Sequence, residues 1–101
     1  MATLTKIAAI SEVAPGQGKV VEVNGRSLAV FNVGGQFHVI DNTCLHRGGP
    51  LGEGMLEGST VTCPWHGWEY DVTTGACGTD TDVKVATFPV KVEGNDILVG
   101  L

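Results

Sequence analysis

The sequence predicts an all-β fold, a small antiparallel β-sandwich built as one domain over residues 1–101. Three observations predict it. Helical periodicity is nearly absent, β-branched runs are separated by two-residue turn signals, and glycine is twice as common as usual, at 15 residues with no G-X-Y period. A chain of 101 residues suffices for one core, because a domain of this size buries roughly 60–70% of its extended-chain surface.

Taken in order, residues 1–10 carry no apolar run of signal-peptide length and no twin arginine. Ser11 to Ala14 opens like a helix but is cut off by Pro15-Gly16, which predicts a single turn. Lys19–Val23 is a strand, Asn24-Gly25 a hairpin turn and Ser27–Val33 the returning strand. Gly34-Gly35 makes a second turn into Gln36–Ile40. Near the C-terminus Val83–Glu93 is rich in β-branched residues, and Gly94-Asn95 turns it into Asp96–Leu101. Pro89 has no backbone donor and predicts an edge or a bulge. Residues 42–80, richer in Gly, Thr and Pro, read as short strands and long loops inserted between these hairpins.

The net charge of −5 excludes the clustered basic footprint that nucleic acid requires, and also an affinity for anionic membrane surfaces. No stretch of eighteen apolar residues occurs, so no membrane span is expected and a cytoplasmic monomer is. Three cysteines do not form a disulfide framework; in a reducing compartment, close Cys/His pairs read first as a metal site.

Two such pairs occur, Cys44-Leu45-His46 and Cys63-Pro64-Trp65-His66, with sixteen residues between them. A structural zinc site is one reading, although finger-type spacing groups C-x-x-C with H-x-x-x-H, whereas here each loop holds one of each type. A cysteine nucleophile with a histidine base is another, but two loops each carrying both residues exceed its needs. The third reading is a [2Fe–2S] cluster, one per chain, with thiolates on one iron and neutral imidazoles on the other. Replacing two thiolates by imidazoles makes the oxidised site about neutral, which raises its potential.

These residues resemble the signature of the Rieske-type iron–sulfur proteins, C-x-H…C-x-x-H, and so do Gly48, Pro64, Gly67 and the Tyr70-Asp71 pair. The resemblance implies a Rieske-type sandwich whose two cluster-binding loops supply Cys44, His46, Cys63 and His66 as cofactor and metal ligands. Respiratory members are similar to C-T-H-L-G-C…C-P-C-H-G-S; here Gly49 and Trp65 replace the extra cysteines, and Trp68 replaces a serine donor. The loss of that donor destabilises the more negative reduced cluster, so a potential nearer about −150 mV than about +300 mV is expected. The comparison implies a ferredoxin rather than an enzyme, one that carries single electrons from a flavin-dependent reductase to the terminal oxygenase of a ring-hydroxylating dioxygenase system. The small Rieske subunit of an assimilatory nitrite reductase is the alternative.

The remaining chemistry-bearing residues have ordinary readings. His38 is expected to face solvent or a polar partner from its strand, and Cys77 to be a small packed residue. Gly16-Gln-Gly18-Lys19 lacks the spacing and the following helix of a phosphate loop. Trp65 and Trp68 either cover the cluster loops or belong to the core, and Leu45 and Pro50 are expected to shield the cluster. Gly48, Gly49, Gly52 and Gly54 are expected to turn tightly or to present amides to the cluster. Glu53, Glu57, Asp80 and Asp82 are expected to steer basic partners.

Overall fold

The computed structural model describes residues 4–23, 25–43, 50–65, 67–78 and 84–100. Strands β1 (Leu4–Ala9), β10 (Asp96–Gly100) and β9 (Val90–Glu93) form one sheet in the order β1-β10-β9. The second sheet runs β2-β3-β4-β8, from Gly18–Val23, Arg26–Val33, Gln36–Asp41 and Thr87–Phe88. The third is a meander of β5 (Met55–Glu57), β6 (Thr60–Thr62) and β7 (Glu69–Asp71). All of these pairings are antiparallel.

The β2-β3-β4-β8 sheet is central, and β3 shows why. Leu28, Ala29, Val30 and Phe31 are all at most 1% exposed, a continuous apolar run rather than the alternation of a half-exposed strand. Leu28 and Val30 join Val39, Ile97 and Val99 in one core, whereas Ala29 and Phe31 join Ile40, Leu51, Val61, Cys63 and Tyr70 in the other. The period of two thus sends alternate β3 side chains into two separate cores. The second of these cores underlies the residue 63–68 turn.

The turns follow their glycines. Gly34 and Gly35 both lie in the left-handed region, at φ +59° and +96°, as a two-residue hairpin turn requires, and they join Val33 to its partner Gln36. The Ser11–Ala14 turn is a 3-10 turn at Ile10–Glu12. It is held by Glu12, whose Oε2 accepts the Ala9 N–H at 2.6 Å and whose Oε1 meets Lys19 Nζ at 2.9 Å.

Two elements differ from expectation. Strand β1 has no clean alternation because its register against β10 slips between Lys6 and Ala8, a bulge that breaks the period of two. The expected Val83–Glu93 run is not continuous. Val83 lies outside the described residues, Lys84 forms an isolated bridge with Ala76, and the chain breaks at Pro89. Pro89 stands where the chain leaves the central sheet after β8 and enters the outer sheet as β9. Lacking a donor, it still accepts the Gly100 N–H at 2.9 Å.

Among the described residues, no helix is long and apolar enough to cross a membrane.

Candidate metal centre

Strands β6 and β7 pair through Thr62 and Glu69, and the segment between them carries Cys63. The Cys63 N–H donates to the Trp68 carbonyl at 2.7 Å, which closes the base of the turn. The Trp65 N–H donates to Cys63 Sγ at 3.4 Å, and Gly67 takes the left-handed φ of +74° that folds the turn back. Cys63 is 2% exposed, with its side chain in the same core as Leu51 and Tyr70. A backbone N–H aimed at a sulfur stabilises thiolate charge.

Of the two tryptophans, Trp68 takes the expected core role. Trp68 packs against the core below the turn, while Trp65 stands half in solvent at 50% exposure beside exposed Pro64. His66 lies outside the described residues, as do Cys44, Leu45, His46, Gly48 and Gly49.

The ends of the first loop are described. Thr43 and Pro50 form an antiparallel bridge, so the two ends of the first loop lie side by side. The Leu51 N–H donates to the Asn42 carbonyl at 2.7 Å, the Gly52 N–H to Asn42 Oδ1 at 2.7 Å, and the Thr43 N–H to Asp41 Oδ1 at 2.9 Å. Two expected cluster-facing amides are therefore committed elsewhere: that of Gly52 to Asn42, and that of Gly54 to the Leu51 carbonyl at 3.0 Å. Both glycines are required by close packing. A Cβ on Gly52 would lie 2.6 Å from Val20 Cγ2, and one on Gly54 would overlap the Thr62 carbonyl oxygen.

The Tyr70-Asp71 pair has a structural role in the scaffold. Tyr70 is wholly buried. Asp71 Oδ1 accepts the Thr73 N–H at 2.8 Å and also the Thr73 hydroxyl, turning the chain after β7. The Thr73 hydroxyl is the main cause holding the Asp71 carboxyl below its ordinary range; burial opposes it, and the backbone N–H groups of Thr73 and Thr74 add to it.

Cys77 is a small packed core residue, 2% exposed and bridged to Tyr70. His38 is half-buried on β4, at an open cavity of about 500 Å³ shared with Phe37, Val72 and Phe88. Gly18 begins a strand, so no helix follows Gly16-Gln-Gly18.

The acidic rim differs from expectation. Glu53 and Glu57 are exposed, but Glu57 pairs with Thr60 at the end of the meander away from the Cys63 turn. Exposed Glu69 is nearer, in the cross-strand row Met55–Thr62–Glu69 that borders the turn. Asp80 and Asp82 lie outside the described residues.

Comparison with known proteins agrees with this geometry. The Rieske [2Fe-2S] domain family matches residues 3–89. The ferredoxin component of biphenyl 2,3-dioxygenase from Rhodococcus jostii (strain RHA1) is 40% identical over 99 residues, covering 97% of this chain and 92% of the relative. The ferredoxin component of the naphthalene 1,2-dioxygenase system of Pseudomonas aeruginosa is 36% identical over 95 residues, covering 92% and 90%. A chain from the complex of reduced oxygenase and oxidized ferredoxin in carbazole 1,9a-dioxygenase superposes with a TM-score of 0.89 at 33% identity, covering 99% of this chain and 94% of that one. These relatives are electron-transfer components rather than catalytic subunits, and they favour the ferredoxin reading over the nitrite reductase and zinc alternatives. The chain therefore belongs to the Rieske [2Fe-2S] domain family, and its cofactor is a Rieske-type [2Fe–2S] cluster.

Proposed function

We propose that Cys44, His46, Cys63 and His66 hold the cluster, and that the protein carries single electrons from a flavin-dependent reductase to the terminal oxygenase of a ring-hydroxylating system. The observation that carries this reading is the setting of Cys63: a buried thiol that accepts a backbone N–H from the residue next to His66. That donor chemistry fits an iron–sulfur cluster, since the amide offsets thiolate charge while the core below excludes water. The cluster, when bound, supplies reversible one-electron transfer.

The surrounding residues define a docking face. Exposed Pro64 and Trp65 in the turn, with Met55, 71% exposed, in the adjoining cross-strand row, give it an apolar centre, and exposed Glu69 in the same row borders it. Such a centre, small in area and bordered by charge, suits a monomer that meets donor and acceptor in turn. The acidic rim favours partners with basic patches. Trp68 offers no hydroxyl to the cluster, which supports a potential toward the low end of the Rieske range. We place this exchange in the cytoplasm.

His46→Ala and His66→Ala test the ligand set. Each is expected to abolish the Rieske-type electron paramagnetic resonance signal of the reduced protein; survival of the signal in either variant removes that histidine from the ligand set.

A further inference from the structure

We propose that Asn42 is a positioning residue for the cluster, a clamp that sets the first ligand loop in register with the second. The proposal rests on the ligand assignment above.

Asn42 follows β4 directly and precedes Cys44 by two residues. It is 7% exposed, and its main chain and side chain each bond in two directions. Toward β3, its N–H donates to the Ser27 carbonyl at 3.1 Å, and Nδ2 donates to Ser27 Oγ at 3.0 Å. Toward the far side of the loop, its carbonyl accepts the Leu51 N–H and Oδ1 accepts the Gly52 N–H, both at 2.7 Å. One side chain thus ties the chain before residues 44–49 and the chain after them to the same strand of the central sheet.

The tie extends to the second loop. A Cβ at residue 52 would lie 3.1 Å from Asn42 Oδ1 and 2.6 Å from Val20 Cγ2, so only glycine lets the strap lie this close. Two residues later the strap reaches Gly54, which packs against the Thr62 carbonyl, and Thr62 directly precedes Cys63. The route Ser27–Asn42–Gly52–Gly54–Thr62–Cys63 therefore joins the neck of one ligand loop to the base of the other. Truncating Asn42 leaves the buried Gly52 N–H without its acceptor, and the strap then shifts to find another. Such a shift moves the two ligand pairs relative to one another.

Asn32 supplies a matched control. It is 5% exposed and also clamps a neck, with Nδ2 donating to the Val13 carbonyl and Oδ1 accepting the Gly35 N–H, both at 2.8 Å. It lies near the β3–β4 turn, at the end of β3 opposite Ser27, the partner of Asn42.

The test compares cluster-loaded wild type, Asn42→Ala, Ser27→Ala and Asn32→Ala. Thermal stability, the rate of cluster loss to a chelator, the reduction potential and the resonance line positions are read for each. Asn42→Ala is expected to lose cluster about ten-fold faster, with a shifted potential and displaced lines. Ser27→Ala is expected to move the same readouts in the same direction and less far, while Asn32→Ala lowers stability but leaves potential and lines at wild-type values. An Asn42→Ala protein with wild-type potential, lines and loss rate overturns the clamp, as does an Asn32→Ala protein whose lines move as far. If Asn42→Ala cannot be loaded, Ser27→Ala decides, and unchanged lines and loss rate there also overturn it. A wild-type protein without a Rieske signal defeats the ligand assignment instead, which keeps the two failures distinct.

Discussion

Cys63 and Trp68 meet across the base of the residue 63–68 turn, the Cys63 N–H donating to the Trp68 carbonyl at 2.7 Å while the indole packs against the core beneath. A residue at position 68 therefore does two things: it closes the turn through its backbone, and it fills the core with its side chain. Only the second depends on its identity.

Trp68→Ser separates these roles. Loss of a large, partly buried ring is expected to cost about 2–3 kcal/mol of stability. The new hydroxyl, held by the same backbone beside the cluster, is expected to raise the reduction potential. Voltammetry and thermal unfolding of the loaded protein check both. An unchanged or lowered potential contradicts the expected part of Trp68 in lowering the potential.

Trp65 makes the opposite case. Half exposed beside the proposed histidine ligand, it has little to lose in stability, and Trp65→Ala is expected to change it by less than about 0.5 kcal/mol. Its effect is expected in the electron-transfer rate at subsaturating partner, measured by stopped-flow absorbance, with the rate at saturation nearly unchanged.

Charge at the rim gives a separate expectation. Exposed Glu69 borders the turn, and at physiological salt charges are screened beyond about 8 Å. Second-order transfer rates are expected to fall as salt rises, and Glu69→Lys is expected to flatten that dependence. A salt-independent rate in the unmodified protein counts against steering.

Much of this was legible in the sequence where the signal is local. Gly34-Gly35 announces a hairpin through its own backbone freedom, and the spacing of the Cys/His pairs points to the Rieske family without reference to the rest of the chain. Strand β1 escaped because its bulge at Ile7 breaks the alternation that identifies a strand. Asn42 escaped for a different reason. Its side-chain partners Ser27 and Gly52 lie 15 and 10 residues away, so nothing in its neighbourhood distinguishes it from an ordinary turn asparagine. Gly52 and Gly54 read as loop glycines, yet both are fixed by contacts with Val20 and Thr62 that only the folded chain brings together.

Gly54→Ala follows from that packing. At φ −75° the backbone carries no strain for alanine, so the whole cost is the collision of the new methyl with the Thr62 carbonyl, about 1–3 kcal/mol. Denaturant unfolding measures it. Because Thr62 adjoins Cys63, faster cluster loss is expected alongside.

Asp71 sets a pH dependence. Its carboxyl is held below the ordinary range, chiefly by the Thr73 hydroxyl, so the folded state favours its ionised form. The contribution is complete above the ordinary carboxylate range and is lost as pH falls through the lowered folded value. Asp71→Ala is therefore expected to be less stable than wild type at neutral pH, with the gap closing in acid. Urea midpoints followed by tryptophan fluorescence across the acid range check this; a gap that widens toward low pH contradicts it.

The proposed electron-carrier role depends on mixed ligation, sulfur from Cys44 and Cys63 with imidazole from His46 and His66. Pulsed electron paramagnetic resonance of the reduced protein, labelled with nitrogen-15 in histidine alone, tests it most directly. Strong coupling to two imidazole nitrogens is expected, reduced to one when either His46 or His66 is replaced by cysteine and the cluster is retained. Absence of any histidine nitrogen coupling in a protein that holds iron and acid-labile sulfide would contradict it.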